Sequence, residues 1–204
     1  MSGIKIEKKM SSRAAILSRI KTNKPDILEL PTVNVEVFAD SRNIVDEFVL
    51  KVEVAGGQVI KASTNNAILN QIKTLFPEGK VKYSTLENTA DFNTVDFETL
   101  QSPKDLEDLD ILVLESDLGV AENGAVWIKD ATLPMRVLPF ITKHLVIVVD
   151  QKELVPFMHQ AYQKLAAQDN DFGVFLSGPS KTADIEQSLV IGAHGALSLT
   201  LFLK

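Results

Sequence analysis

Two short loops of this chain concentrate the residue types that bind or attack small anions. The first loop reads Ser-Gly-Pro-Ser-Lys-Thr-Ala-Asp over residues 177–184, between an apolar run at 172–176 and a periodic apolar run that begins at Ile185. This order predicts a strand, a tight turn and a helix. Two hydroxyls, one ammonium group and free helical N–H groups together suit a phosphate or a carboxylate. An ordinary capped turn explains the same residues equally well, because capping signals are common.

The second loop covers residues 115–124 and holds three acids and two glycines. Glu122 stands directly before Asn123-Gly124, which is a strong turn signal. A glutamate presented on such a turn can act as a covalent nucleophile or as a general base. The alternative is a solvated turn acid, and Asp117 can equally bind backbone amides of its own loop. Glu122 is therefore the candidate catalytic residue.

Two further residues outside these loops are candidates for ligand binding. Arg136 offers bidentate geometry for a carboxylate, with a plain surface role as the alternative. His194 lies between small residues, Ala193 and Gly195, which allow close approach of a ligand. No acid has His or Cys partners at the spacing of a metal site, and no cofactor is indicated. The predicted ligand-binding residues are Asp117, Gly119, Asn123, Gly124, Arg136, Gly178, Ser180, Lys181, Thr182, Asp184 and His194.

Composition excludes several classes of protein. The chain has 204 residues, no cysteine and a net charge of -6, so disulfides, a Cys nucleophile and Cys-ligated iron–sulfur clusters are excluded. No dinucleotide-binding or Walker glycine loop occurs, and basic residues cluster only before residue 25, so we predict no nucleic-acid partner. No apolar run approaches the length of a membrane span and no signal peptide is visible. We predict a cytoplasmic protein without membrane insertion.

The elements that must position these loops alternate along the chain, which predicts an α/β fold with a mainly parallel sheet. The predicted helices lie near residues 12–23, 41–55, 64–76, 153–167 and after residue 182. The predicted strands lie near residues 33–38, 59–60, 81–83, 111–114, 125–128, 144–149, 172–176 and 196–203. Residues 85–110 are the least regular part and are interpreted as an insertion or as a lid. No linker interrupts the chain, so one domain over residues 1–204 is predicted, with residues 1–10 flexible.

The residues at 178–186 and 189–195 closely resemble the C-terminal signature of the LUD domain, the lactate-utilisation protein C family. The loop at 118–124 resembles a second signature of the same family, and the helix at 13–20 also fits. The resemblance implies a three-layer α/β/α fold shared with sugar-phosphate isomerases and CoA transferases. It further implies a component that binds a small anionic metabolite and supports oxidation of L-lactate to pyruvate beside iron–sulfur partner proteins.

A second resemblance concerns the tetrad Ala121-Glu122-Asn123-Gly124, which is similar to the Ser-Glu-Asn-Gly motif of class I CoA transferases. In those enzymes the glutamate forms an acyl anhydride, a role that would fall to Glu122. This chain departs from the motif at Ala121 and has no evident glycine-rich CoA loop. The alternatives to a lactate-utilisation component are therefore acyl transfer by Glu122 and a non-catalytic ligand-sensing or assembly protein.

Overall fold

The computed structural model describes residues 11–29, 31–32, 34–38, 42–100, 102–168, 172–183 and 189–204. The chain divides into two compact units, residues 1–40 and residues 41–204. Residues 1–10, predicted to be flexible, lie outside the described ranges. The prediction of one domain over the whole chain stays a prediction.

The described part of the smaller unit contains one α-helix, α1 (Ser12–Thr22), which begins where the sequence predicts it. The hydroxyl of Ser11 accepts a hydrogen bond from the N–H of Ala14 and so satisfies one free donor of the first turn. The strand predicted at 33–38 is wrong where the structure describes it, because Val35–Phe38 is a 3-10 helix. Alternating residues form a strand only beside a partner strand, and here Val37 N–H instead donates to the carbonyl of Asn34.

The larger unit alternates strands and helices. In chain order its elements are α2 (Ile44–Val54), β1 (Gln58–Lys61), α3 (Asn65–Leu75), β2 (Lys82–Ser84), β3 (Ile111–Ser116), β4 (Gly119–Val120), β5 (Ala125–Lys129), α4 (Leu138–Ile141), β6 (His144–Val149), β7 (Leu154–Val155), α5 (Met158–Ala166), β8 (Gly173–Leu176), β9 (Lys181–Ala183), β10 (Leu189–Ile191) and β11 (Ser198–Leu203). Five of these strands form a wholly parallel sheet in the order β1-β11-β6-β3-β2. The sequence prediction of a mainly parallel sheet is confirmed, and β6, its most apolar strand, occupies the centre.

Helices cover both faces of this sheet. On one face, Ile68 and Ile72 of α3 pack on Ile111 and Val113 of β3 and on Phe202 of β11. On the other face, Phe48 and Val52 of α2 pack with alternate residues of β3, β6 and β11. Strands buried on both faces require continuous apolar sequence, which is what β3 and β6 show. The three-layer α/β/α arrangement predicted from the sequence is confirmed.

A small mixed sheet belongs to the second outer layer. Its order is β7-β4-β5-β8, with β4 and β7 parallel and the other pairs antiparallel. The helix predicted from Glu153 begins only at Met158, because Leu154 and Val155 form β7 and Pro156 follows. The residue before a proline avoids helical backbone, so Val155 is disfavoured as part of the helix.

The helix predicted after the first loop is replaced, where the structure describes it, by an antiparallel hairpin. Lys181, Thr182 and Ala183 of β9 pair with Ile191, Val190 and Leu189 of β10. β-Branched residues at 182, 190 and 191 favour extended backbone over helix. The prediction of a helix start at Ser180 to Thr182 is therefore wrong, because Lys181–Ala183 is a strand; the anion site itself stays a prediction.

Residues 85–110 contribute to the core, although they carry little regular structure. Two 3-10 helices, Ala90–Phe92 and Pro103–Leu106, are the described helical turns of this stretch. Leu86, Phe92, Leu106 and Leu109 are all buried. An insertion or lid function for this stretch stays a prediction.

Candidate functional site

The two candidate loops touch each other directly. The hydroxyl of Ser177 donates a 2.7 Å hydrogen bond to the backbone carbonyl of Asn123. Asn123 also shapes its own turn, because its side-chain oxygen accepts from the N–H of Ala125 at 3.0 Å. The two loops are thus in contact at Ser177 and Asn123.

Both loops also pack against the carboxyl end of α2. A Cβ atom at Gly124 would lie 2.7 Å from the backbone nitrogen of Val52, and one at Gly178 would overlap the carbonyl oxygen of Ala55. Both glycines have positive φ, 66° and 73°. These two glycines are therefore needed for close backbone approach, and neither offers a side chain to a ligand.

Lys181 and its neighbours are held by the same helix end and by the hairpin. The ammonium group of Lys181 donates to the carbonyl of Ala55, at the end of α2 where cations are favoured. Ser180 N–H donates to the carbonyl of Ala196, and Ser180 accepts from Gly192 N–H. Thr182 pairs with Val190 in the hairpin. Asp184 lies outside the described residues.

A cavity of about 210 Å³ lies beside the first loop, and we call it the signature-loop cavity. Ser177, Ser180 and His194 contribute polar groups to its wall. Phe140, Leu145 and Phe175 contribute apolar groups. No carboxylate lines it among the residues that the structure describes. Leu145 stands near the start of β6, so the cavity lies at the amino ends of the parallel strands.

Glu122 makes its contacts with the start of α5. One of its carboxylate oxygens accepts a 2.7 Å hydrogen bond from the N–H of Met158, and its own N–H donates to the carbonyl of Pro156. A carboxylate at a helix N-terminus satisfies a free donor and interacts favourably with the helix dipole. The side chain is exposed and does not line the signature-loop cavity. A nucleophilic role for Glu122 stays a prediction.

Asp117 belongs to a second cavity, of about 360 Å³, at the carboxyl ends of the central strands. We call it the strand-end cavity; it is lined by Glu115, Ser116, Asp117, Lys129, Asp150, Glu153 and Lys204. Lys129 donates to Asp117 at 2.6 Å, and Lys204 lies 3.3 Å from Glu115. The structure thus places Asp117 in one cavity and Ser180 and His194 in the other.

Lys129, Asp150, Glu153 and Lys204 were not among the predicted site residues. A signal for two of them exists in the sequence, because Asp150 and Lys204 each directly follow an apolar strand. The carboxyl ends of neighbouring parallel strands meet at one edge of a sheet, so polar residues there converge. Of the residues that line the strand-end cavity, loop composition indicated only Asp117 as a site residue.

Arg136 and Gly119 both make contacts within the chain. The guanidinium of Arg136 binds both oxygens of Asp130 at 2.7 and 2.8 Å and lies 4.8 Å from the ring centre of Phe172. Its hydrogen bonds lower the pKa of the Asp130 carboxyl. Gly119 lies in β4, where a Cβ atom would meet the side chain of Leu154.

Among the residues that the structure describes, no group of three or more His, Asp or Glu side chains is arranged to hold a metal ion. Of the helices that the structure describes, none is long and apolar enough to cross a membrane.

Comparison with known proteins gives one family match. The model of the LUD domain matches residues 87–203. Similar curated proteins include lactate utilization protein C of Oceanobacillus iheyensis, 32% identical over 101 residues, which covers 46% of this chain and 43% of that protein. The protein of the same name from an Exiguobacterium species is 31% identical over 105 residues, 45% of this chain and 46% of its own length. The chain thus matches less than half the length of these two relatives.

Two further similarities cover more of the chain. Lactate utilization protein C 1 of Bacillus mycoides is 26% identical over 163 residues, 68% of this chain and 69% of that protein. The crystal structure of a DUF162 family protein from Deinococcus radiodurans superposes with a TM-score of 0.61 at 17% identity. It covers 78% of this chain and 95% of its own. At that identity the structural likeness supports the fold.

Proposed function

The chain belongs to the LUD domain family, and on that premise we propose that it acts in lactate utilisation by binding a small carboxylate metabolite in the signature-loop cavity. The names of the curated relatives support the metabolic role. The residues that form the polar wall come from the stretch that carries the family resemblance. The role is proposed for this chain, since it matches only part of those relatives.

The lining of the signature-loop cavity is the observation that carries the proposal. Ser180 and His194 line it, and no carboxylate lines it among the described residues. None of these residues therefore repels an anion. The strand-end cavity, in contrast, is lined by four carboxylates and two ammonium groups. Like charges at close range repel, so an anion favours the signature-loop cavity.

The apolar wall of the same cavity narrows the class of ligand. Phe140, Leu145 and Phe175 suit the short alkyl part of a molecule whose carboxylate is turned towards Ser180 and His194. Binding sites for small molecules combine such an apolar lining with a few polar groups that fix orientation. A short-chain 2-hydroxy or 2-oxo monocarboxylate, such as lactate or pyruvate, has this shape.

The absence of cysteine from the sequence limits what this chain contributes to an oxidation. A chain without cysteine cannot hold a Cys-ligated iron–sulfur cluster. We therefore assign electron transfer to iron–sulfur partner proteins and binding of the carboxylate to this chain. Its cavity supplies position, and no redox step is assigned to its own residues.

Isothermal titration of the purified chain with L-lactate and with pyruvate tests the proposal. Ser180→Ala and His194→Ala each remove a polar group from the cavity wall, and hydrogen bonds to a charged ligand are worth about 1.5–3 kcal/mol. We expect each variant to weaken binding about 10- to 100-fold. Asp117→Asn, in the strand-end cavity, is the matched control and should bind as the unmodified chain does.

Two results would contradict the proposal. Failure of the unmodified chain to bind either anion would remove the carboxylate ligand. Loss of binding in Asp117→Asn, with full binding in Ser180→Ala and His194→Ala, would move the ligand to the strand-end cavity.

A further inference from the structure

Gly195 differs from the other glycines of the chain because its backbone conformation does not require glycine. Its φ lies outside the left-handed region, so an alanine can adopt the same backbone. A Cβ atom there would lie 3.0 Å from Cβ and 3.3 Å from Oγ of Ser180, contacts that a shift of a few tenths of an ångström relieves. Every other glycine that the structure describes has a positive φ or would bring a Cβ atom to 2.9 Å or less from a neighbouring atom.

The missing side chain at Gly195 leaves space inside the signature-loop cavity. Gly195, Ser180 and Phe140 all line this cavity of about 210 Å³. The position that a Cβ atom of Gly195 would take lies between Ser180 Oγ, at 3.3 Å, and the carbonyl oxygen of Phe140, at 3.8 Å. A small group of a bound ligand can therefore occupy this position, which we call the Gly195 space.

Both oxygens that border the Gly195 space are available to a ligand. The backbone of Ser180 is fixed, since its N–H donates to the carbonyl of Ala196 and its carbonyl accepts from Gly192 N–H. The Ser180 hydroxyl makes no hydrogen bond with another described residue, and the carbonyl of Phe140 accepts none from one. Backbone carbonyls are strong acceptors, and a serine hydroxyl offers one donor and two lone pairs.

These oxygens favour a hydroxyl group of the ligand over an oxo group. In the binding mode proposed above, the Ser180 hydroxyl donates its proton to the ligand carboxylate, so that only lone pairs of Ser180 Oγ remain. The Gly195 space is then bordered by two acceptors. A hydroxyl group can donate to either of them, whereas an oxo group has no proton to donate and sets its own lone pairs against theirs.

We propose that Gly195 is a specificity-determining residue of the signature-loop cavity. Its missing side chain admits the 2-hydroxyl group of a 2-hydroxy monocarboxylate, which donates to Ser180 Oγ or to the Phe140 carbonyl. This inference rests on the proposed function and narrows its ligand class from 2-hydroxy and 2-oxo acids to 2-hydroxy acids.

Three acids with the same carbon skeleton test the inference by isothermal titration of the full chain. L-Lactate carries the 2-hydroxyl group, pyruvate carries an oxo group there, and propionate carries neither. We expect the unmodified chain to bind L-lactate about 2- to 10-fold more tightly than either of the others, which is the contribution of one hydrogen bond. This comparison needs no variant, so it does not depend on how a substitution affects folding.

Gly195→Ala fills the space with a methyl group and so tests the residue itself. We expect it to weaken binding of L-lactate and to leave that of propionate nearly unchanged, so that the preference between these two acids disappears. Its thermal midpoint should change little, because alanine adopts this backbone. Ala90→Val, which adds methyl groups at an exposed position outside the cavity, is the control and should keep the preference.

The possible failures are distinguishable. An unmodified chain that binds none of the three acids overturns the proposed function, and this inference with it. An unmodified chain that binds all three acids equally, or binds pyruvate as tightly as L-lactate, overturns this inference alone. A folded Gly195→Ala variant that keeps the preference for L-lactate over propionate overturns the role of Gly195.

Discussion

Ser177 and Asn123 join the two candidate loops through a single hydrogen bond, from the serine hydroxyl to the asparagine carbonyl over 2.7 Å. The two residues are 54 positions apart in sequence. The bond fixes the loop before β9 to the turn before β5, and so sets one side of the signature-loop cavity. Because Ser177 is exposed, water competes for the same carbonyl.

Removal of this hydroxyl should therefore cost little stability. We expect Ser177→Ala to lower the free energy of unfolding by about 0.5–1 kcal/mol, the lower part of the range for one hydrogen bond. Urea denaturation measures the change. Ser18→Ala, on the exposed surface of α1, is the control and should leave the stability of the larger unit unchanged. Equal stability of Ser177→Ala and the unmodified chain would show that this bond does not hold the loops together.

Gly178 and Gly56 form a matched pair for a test of close packing at the end of α2. Both have positive φ, 73° and 85°, so an alanine at either position costs about 1–2 kcal/mol of backbone strain. At Gly178 a Cβ atom would also overlap the carbonyl of Ala55, whereas at Gly56 the nearest atom is 3.5 Å away in the flexible Lys181 side chain. We expect Gly178→Ala to lower the thermal midpoint clearly more than Gly56→Ala. Equal shifts would mean that the loop can move away from α2.

Glu122 offers a test that separates helix capping from chemistry. Glu122→Ala removes the acceptor of the Met158 N–H, so we expect a loss of about 1 kcal/mol of unfolding free energy. Glu122→Gln keeps an acceptor and loses only the charge at the start of α5, so its loss should be about half as large. Urea denaturation at low and high salt measures both. A larger loss for Gln than for Ala would contradict the capping role.

The acyl-transfer alternative for Glu122 has its own readout. An acyl anhydride formed on the glutamate during incubation with an acyl-CoA would react with hydroxylamine. Mass spectrometry detects the resulting adduct. Because the chain departs from the CoA-transferase motif at Ala121 and has no evident glycine-rich CoA loop, we expect no adduct from the unmodified chain.

The pKa of Asp110 predicts that the stability of the fold depends on pH. Burial raises the pKa of its carboxyl, but hydrogen bonds from Lys143 and from the N–H groups of Val81 and Lys80 outweigh it and lower the pKa from 3.8 to about 2. A carboxyl with a lowered pKa in the folded state stabilises the fold above its unfolded pKa, and this contribution disappears as pH falls through the folded value. The loss therefore falls between about pH 4 and pH 2.

Comparison of the unmodified chain with Asp110→Asn measures this contribution. The Asp110 side chain is 18% exposed and that of Lys143 is 45% exposed, so solvent screens part of the interaction. We expect Asp110→Asn to be less stable by about 1–2 kcal/mol at pH 7, with the difference vanishing near pH 2. Asp91→Asn, at an exposed position, should show no such trend. A difference that persists at pH 2 would assign the effect to side-chain packing.

The sequence predicts those elements whose residues are determined by local chemistry or by complete burial. The apolar runs of β3 and β6 identify strands buried on both faces, and Thr64 identifies the start of α3, where its hydroxyl accepts the Ala67 N–H. Both signals are contained within a few neighbouring residues, so no knowledge of the rest of the chain is needed.

The errors arise where a distant segment decides the local conformation. Leu154 and Val155 have helical periodicity with the residues that follow, yet they pair with Gly119 and Val120 of β4. The segment after the first loop likewise reads as a capped helix and forms a hairpin instead. Lys181 was predicted to hold an anion, and no local pattern indicates that its ammonium group reaches Ala55, 126 residues earlier.

The order of strands in the parallel sheet has a consequence for a fragment that lacks the residues before 87. The family match at residues 87–203 contains the three inner strands, whereas both outer strands, Gln58–Lys61 and Lys82–Ser84, come from the preceding residues. These edge strands are only four and three residues long, and short edge strands resist pairing with strands of other molecules. A fragment that begins at residue 87 would therefore expose β3 and β11, each six residues long, as edge strands. We expect this fragment to aggregate through them.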